Sequence, residues 1–123
     1  MQSTAAQTDI FDPFAVTLDP WPIPVDQVRD GTPTASGNVI ARSDDRRALT
    51  GVWECTPGVF PGARAGYNEL MVFVKGAGTI TPDGGDPVEI GPGTVYPTLD
   101  GWSSVWDVTE TVRKVYVIWD DRR

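Results

Sequence analysis

Histidine is absent from all 123 residues of the chain. The commonest metal-ligating side chain and the usual general base near neutral pH are therefore both missing, and each task either falls to other groups or is absent. Cysteine is almost absent too. Cys55 stands alone, which excludes an intrachain disulfide and any zinc site built from Cys and His, and which suits a reducing compartment. Basic residues are scarce, with 10 Lys plus Arg against 17 Asp plus Glu and a formal net charge of −7. Nucleic acid and anionic membrane surfaces both require clustered Lys and Arg, so neither partner is expected. No apolar run approaches the roughly 20 residues of a membrane span. Met1 to Asp12 carry no basic cluster followed by an apolar stretch, so no secretory leader is expected and the chain reads as cytoplasmic.

What is present is a series of short apolar and aromatic stretches broken by glycine and proline. Pro13, Pro20, Pro22, Pro24 and Pro33 block helices and central strands over the first part of the chain. Residues 1–37 are therefore expected to form an extended N-terminal arm, with Phe11, Phe14, Trp21 and Ile23 packing on the body or on a partner subunit. Residues 38–123 read as one all-β domain, with strands near 38–43, 49–55, 67–75, 77–82, 86–90, 93–97, 103–108 and 112–119. The breaks fall at Thr56-Pro57-Gly58, Pro61-Gly62, Pro82-Asp83-Gly84-Gly85 and Gly91-Pro92-Gly93, all sequences that favour turns. Trp53, Phe73, Tyr96, Trp102, Trp106, Tyr116 and Trp119 recur in the strands. Such rings favour a closed or nearly closed barrel, which buries them while eliminating edges.

The order of several segments is specific. Gly51-Val52-Trp53-Glu54-Cys55-Thr56-Pro57-Gly58, then Glu69 with Gly76, then Ile90-Gly91-Pro92-Gly93, then Trp106-Asp107-Val108 and Val112 to Ile118 resemble the cupin superfamily. Within it the likeness is to short cupins of the ureidoglycine aminohydrolase-like and ethanolamine-utilisation Q-like group. The resemblance implies a single-domain cupin-type β-barrel, or jelly roll. It also implies a metal site of two His and a Glu from a first motif and one His from a second. Glu69 matches the Glu, whereas the His positions fall on Gly62, Arg64 and, near the second motif, Ser104. None of these replaces imidazole, so neither a bound transition metal nor another cofactor is expected. Arg64 would repel a cation and could instead pair with Glu69.

Strand alternation supplies a cavity list of its own. An inward Glu69 brings Met71 and Phe73 with it, and an inward Ser104 brings Trp102 and Trp106. With Arg64, Tyr67 and Tyr96 these are the candidate substrate-binding residues, and Glu69 is the candidate general acid or base. Tyr116 is a further candidate donor to a substrate oxygen, and Cys55 reads as a buried structural thiol. Arg113-Lys114 reads as a solvated or salt-bridged strand edge. Two functions fit. One is a metal-independent enzyme, of isomerase, lyase, cyclase or hydrolase type, acting on a small organic molecule. The other is a binding protein of the same fold without turnover. A weaker third is a loosely held ion on other oxygen ligands. A homodimer is also expected, from the apolar arm.

Overall fold

A computed structural model describes residues 10–121, so the first nine residues of the expected arm and the last two of the chain lie outside it. Nine strands form one antiparallel ladder: β1 (Asp19–Pro20), β2 (Asp30–Gly31), β3 (Ala35–Arg42), β4 (Ala48–Cys55), β5 (Gly58–Ala63), β6 (Asn68–Pro82), β7 (Val88–Ile90), β8 (Val95–Thr98) and β9 (Ser103–Trp119). The long strands β6 and β9 pair with each other and belong to two leaves at once. In the first leaf the order is β1-β3-β4-β9-β6-β8, using residues 112–119 of β9 and 68–75 of β6. In the second the order is β2-β5-β9-β6-β7, using residues 103–108 of β9 and 78–82 of β6.

The shared strands bend between the leaves. Register shifts cluster between Phe73 and Gly78, and Gly76 holds φ +95° there, where a Cβ would collide with the Thr111 carbonyl. Only glycine adopts that backbone at no steric cost. The two expected strands at 67–75 and 77–82 are therefore one bent strand, as are those at 103–108 and 112–119. The leaves fold face to face around Phe60, Met71, Phe73, Ile80, Ile90, Trp106, Val108 and Val112, with Ala35 and Cys55. Trp53 on the first leaf meets Phe60 and Trp106 on the second, with ring centroids 6.4 and 5.6 Å apart. This is a jelly-roll β-barrel, but its ladder does not close, because β1, β2, β7 and β8 end as edges.

The sequence reading missed β5 by taking Pro61-Gly62 as a turn. β2 covers only Gly58 and Val59 of the outer side of β5, and proline is tolerated on such an exposed edge. The arm is not fully extended, since Val25–Gln27 form a 3-10 turn. It is tied to its own barrel by bonds from Trp21 N–H to the Ala35 carbonyl (2.9 Å) and from Arg29 N–H to the Val59 carbonyl (2.8 Å). Ile23 packs on the core and Phe11 is half-buried, but Phe14, expected to pack, is 58% exposed.

Candidate functional site

A cavity of about 380 Å³ opens between the leaves. It is walled by Trp53, Phe60, Gly62, Trp106, Tyr116 and Ile118, and the arm segment Trp21-Pro22-Ile23-Pro24 lies at its rim. Arg64, Tyr67, Glu69 and Lys114 are the lining residues with ionisable or phenolic side chains besides Tyr116.

Strand register brings these groups together. On β6, Glu69, Met71 and Phe73 alternate inward, and on β9 Ser104, Trp106, Val112, Lys114 and Tyr116 do the same. Met71 lies opposite Tyr116, and Phe73 opposite Lys114. Lys114 reaches along this face so that its Nζ donates to Glu69 Oε2 at 2.7 Å. An Arg64 NH2 nitrogen stands 3.5 Å from the same oxygen. The Met71 sulfur sits 3.4 Å from both cations.

Lys114 is 6% exposed and sits among π-faces, with Nζ 4.7 Å from the Trp53 ring centre, 5.0 Å from Trp106 and 5.9 Å from Tyr116. These electron-rich faces supply part of the solvation that water would have given an ammonium. Burial pushes the Lys114 ammonium below the ordinary lysine range; Glu69 works against that shift and Arg64 adds to it. The expectation of a solvated or salt-bridged edge at Arg113-Lys114 holds for Arg113, which bonds Glu54 at 3.0 Å, and is corrected for Lys114, an interior residue.

Arg64 is held from several sides. Its Nε donates to Thr98 Oγ1 (3.0 Å), an NH1 nitrogen donates to the Ala63 carbonyl (3.1 Å), and its guanidinium lies 5.0 Å from the Trp102 ring centre. Thr98 in turn donates to the Glu69 carbonyl at 2.9 Å, which couples the position of one charged group to the backbone of the other. Tyr67 closes the other side of the guanidinium at 6.0 Å.

Of the residues expected at the site, Glu69, Arg64, Tyr67 and Trp106 line the cavity. Met71 and Phe73, both fully buried, lie in the core beneath the charged groups. Tyr96 and Trp102 pack edge to face on each other at 5.7 Å, and Trp102 backs the guanidinium; neither lines the cavity. Ser104 is used internally: its hydroxyl donates to the Gly62 carbonyl at 2.9 Å and accepts from Trp106 Nε1 at 3.2 Å. Gly62 is required by this arrangement, since a Cβ there would stand 2.5 Å from Trp106 Nε1. Tyr116 carries a buried hydroxyl with no hydrogen-bond partner, the one such side-chain atom among the described residues. Burial raises its pKa to about 12, so the hydroxyl keeps its proton at neutral pH and remains a donor.

The geometry does not meet the His-His-Glu-His pattern implied by the resemblance. Its positions hold no side chain (Gly62), a guanidinium (Arg64), a carboxylate already bonded to an ammonium (Glu69) and a committed hydroxyl (Ser104). The Lys114 ammonium and the Arg64 guanidinium beside Glu69 oppose the approach of a further cation. Among the described residues no three of His, Cys, Asp and Glu come together. The donor set does not fit a metal ion.

A bent two-leaf jelly roll with a polar cluster between its leaves is an architecture that cupins share with other jelly-roll proteins. Residues 42–116 match the family model of the EutQ-like cupin domain, and the chain belongs to that family. Among solved structures it is similar to a DUF861-family protein of unknown function from Pseudomonas syringae (TM-score 0.76, 22% identity over 87% of this chain and 46% of that one). It is also similar to the EutQ protein of Clostridium difficile (0.60, 19%, 75% and 70%) and to ectoine synthase from P. lautus (0.65, 18%, 80% and 72%). The chain thus spans about half the length of the Pseudomonas protein. The search of curated proteins gave no match.

Proposed function

We propose that this cupin takes a small organic acid with a planar or apolar body into its cavity, and that Glu69, working against Lys114, moves a proton on it without a metal ion. One observation carries the reading: Arg64 and Lys114 share the single carboxylate of Glu69 inside an aromatic-walled cavity. The site therefore carries one more positive than negative charge in surroundings where an unbalanced charge attracts strongly. An anionic group neutralises it, the rings of Trp53, Phe60 and Trp106 cover an apolar body, and the free Tyr116 hydroxyl donates to an acceptor on the ligand. Glu69 and Lys114, already in hydrogen-bond contact, form the proton-transfer pair.

The same charges would also serve a protein that only binds such an acid, so the test must separate the two. Native mass spectrometry of purified protein and thermal-shift titration with a panel of small carboxylic acids identify the ligand. Glu69→Gln, which keeps shape and removes the ionisable group, then decides. Removing this carboxylate makes the site more positive, so affinity for an acid is kept or raised in either case; an enzyme loses its turnover, whereas a protein that only binds shows none in the unaltered chain. Absence of binding to any acid in the panel, with neutral or cationic ligands retained instead, would overturn the reading.

A further inference from the structure

We propose that the Lys114 amine is a nucleophile that forms a Schiff base with the carbonyl group of a small keto or aldehydo acid, an inference that rests on the cavity holding an organic acid as set out above. Two cations compete for one carboxylate at this site: Nζ of Lys114 at 2.7 Å and the Arg64 guanidinium at 3.5 Å from Glu69 Oε2. A guanidinium does not give up its proton in a protein, whereas a desolvated lysine does. Lys114 is therefore the member of the trio able to discharge, and Glu69 is the base in contact with it. Arg64 and the ring faces of Trp53 and Trp106 stay behind as the anchor for the acid group and the cover for the chain. Burial beside a second cation is the environment that activates an amine, and the shift of Lys114 is in that direction. Stability alone does not require the pair, because apolar side chains of similar volume often fill such a core at no loss of stability.

The step balances without an outside reagent. Glu69 accepts one ammonium proton, and the freed electron pair on Nζ attacks the carbonyl carbon while the C=O π pair moves to oxygen. An N–H proton passes to that oxygen, giving a neutral carbinolamine. Glu69 returns its proton to the hydroxyl, the C–O bond breaks, water leaves, and the nitrogen pair forms C=N. The product is a protonated imine, with the total charge unchanged. The reaction classes that follow from such an imine are those that need an electron sink next to a carboxylate, namely decarboxylation, aldol cleavage and α-proton exchange.

The chain has only two lysines, Lys75 and Lys114, which makes the test clean. Full-length protein is incubated at neutral pH with pyruvate or glyoxylate and sodium cyanoborohydride, and the reduced adduct is located by peptide mass mapping. Lys75, whose side chain is 51% exposed, and the α-amine are internal controls. The expected result is an adduct on Lys114 forming roughly tenfold or more faster than on either control, slowed at least about tenfold by Glu69→Gln and abolished by Lys114→Arg. An adduct on the controls alone, or at equal rates on all amines, overturns the proposal. Should Lys114→Arg not fold, site mapping on the unaltered chain decides by itself. Saturable binding of these acids without an adduct overturns the Schiff base and leaves the ligand reading standing; no binding of any small acid removes both.

Discussion

Replacing Glu69 by leucine leaves a buried ammonium without its anion, and the consequences can be worked out from the contacts. At 2.7 Å and an effective dielectric near 20, the attraction between the two charges is about 6 kcal/mol. Desolvating two ions costs several kcal/mol each, so the pair as a whole contributes close to nothing to stability. Breaking it is another matter, because the Lys114 charge stays buried with ring faces and a thioether as partners. Glu69→Leu is expected to cost about 3–5 kcal/mol at pH 7, or roughly 10–20 °C in Tm for a domain of this size. The double variant Glu69→Leu with Lys114→Met is expected to recover the part of this loss that comes from Lys114 and to keep the part that comes from Arg64, whose buried guanidinium still lacks its anion.

The loss in Glu69→Leu also depends on pH. Without its anion Lys114 binds a proton less tightly in the folded chain than in the unfolded one, where the ordinary lysine value of about 10.4 applies. Between the folded pKa and that value the unfolded state holds more protons, so stability rises with pH, by at most about 1.4 kcal/mol per unit. The deficit is full at pH values below the folded pKa and shrinks as pH climbs toward 10. Urea melts of the four proteins of the cycle from pH 6 to pH 10 measure all of this. A deficit under about 1 kcal/mol that is flat with pH, or a double variant whose loss equals the sum of the singles, would refute the reasoning.

Three further outcomes are expected. Gly62→Ala places a Cβ 2.5 Å from Trp106 Nε1 and should cost about 1–3 kcal/mol with a shift in tryptophan emission, whereas an unchanged melt and spectrum would mean that the indole has room to move. Tyr116→Phe removes a buried hydroxyl that lacks a partner, so the ligand-free melt should hold or improve while affinity for the bound acid falls by roughly tenfold, about one hydrogen bond. Cys55 is held near pKa 12 by burial, so it should resist a thiol reagent in folded protein at pH 8 and react at once in denaturant; fast labelling of the native form would contradict that burial.

The fold and two of the three members of the charged cluster were legible in the sequence. Glu69 and Arg64 were legible because both sit at positions defined by the order of the cupin motifs, and period-two alternation put Met71 and Phe73 on the same face as Glu69, the face that the structure buries. Lys114 was not legible. Around it both faces of β9 are apolar, with Val115 and Val117 on one side and Val112 and Tyr116 on the other, so composition gave no inside or outside. The available signal was parity, since Lys114 shares its face with Trp106; the bend at Thr109–Thr111 interrupts that count for a reader who splits β9 in two. Strand β5 was hidden for a different reason. Pro61-Gly62 has the chemistry of a turn, and its actual role, an uncovered edge next to a glycine that makes space for an indole, depends on residues some 40 positions away.

Glu69 and Lys114 sit on neighbouring strands whose alignment fixes which side chains share a face. Sliding either strand by a single residue would send one charge to water and strand the other in the hydrocarbon interior. The ion pair thus penalises one-residue slips of the two longest strands, because such a shift parts the charges and leaves one of them buried alone, a cost that the apolar residues on both faces of this part of β9 do not supply by themselves.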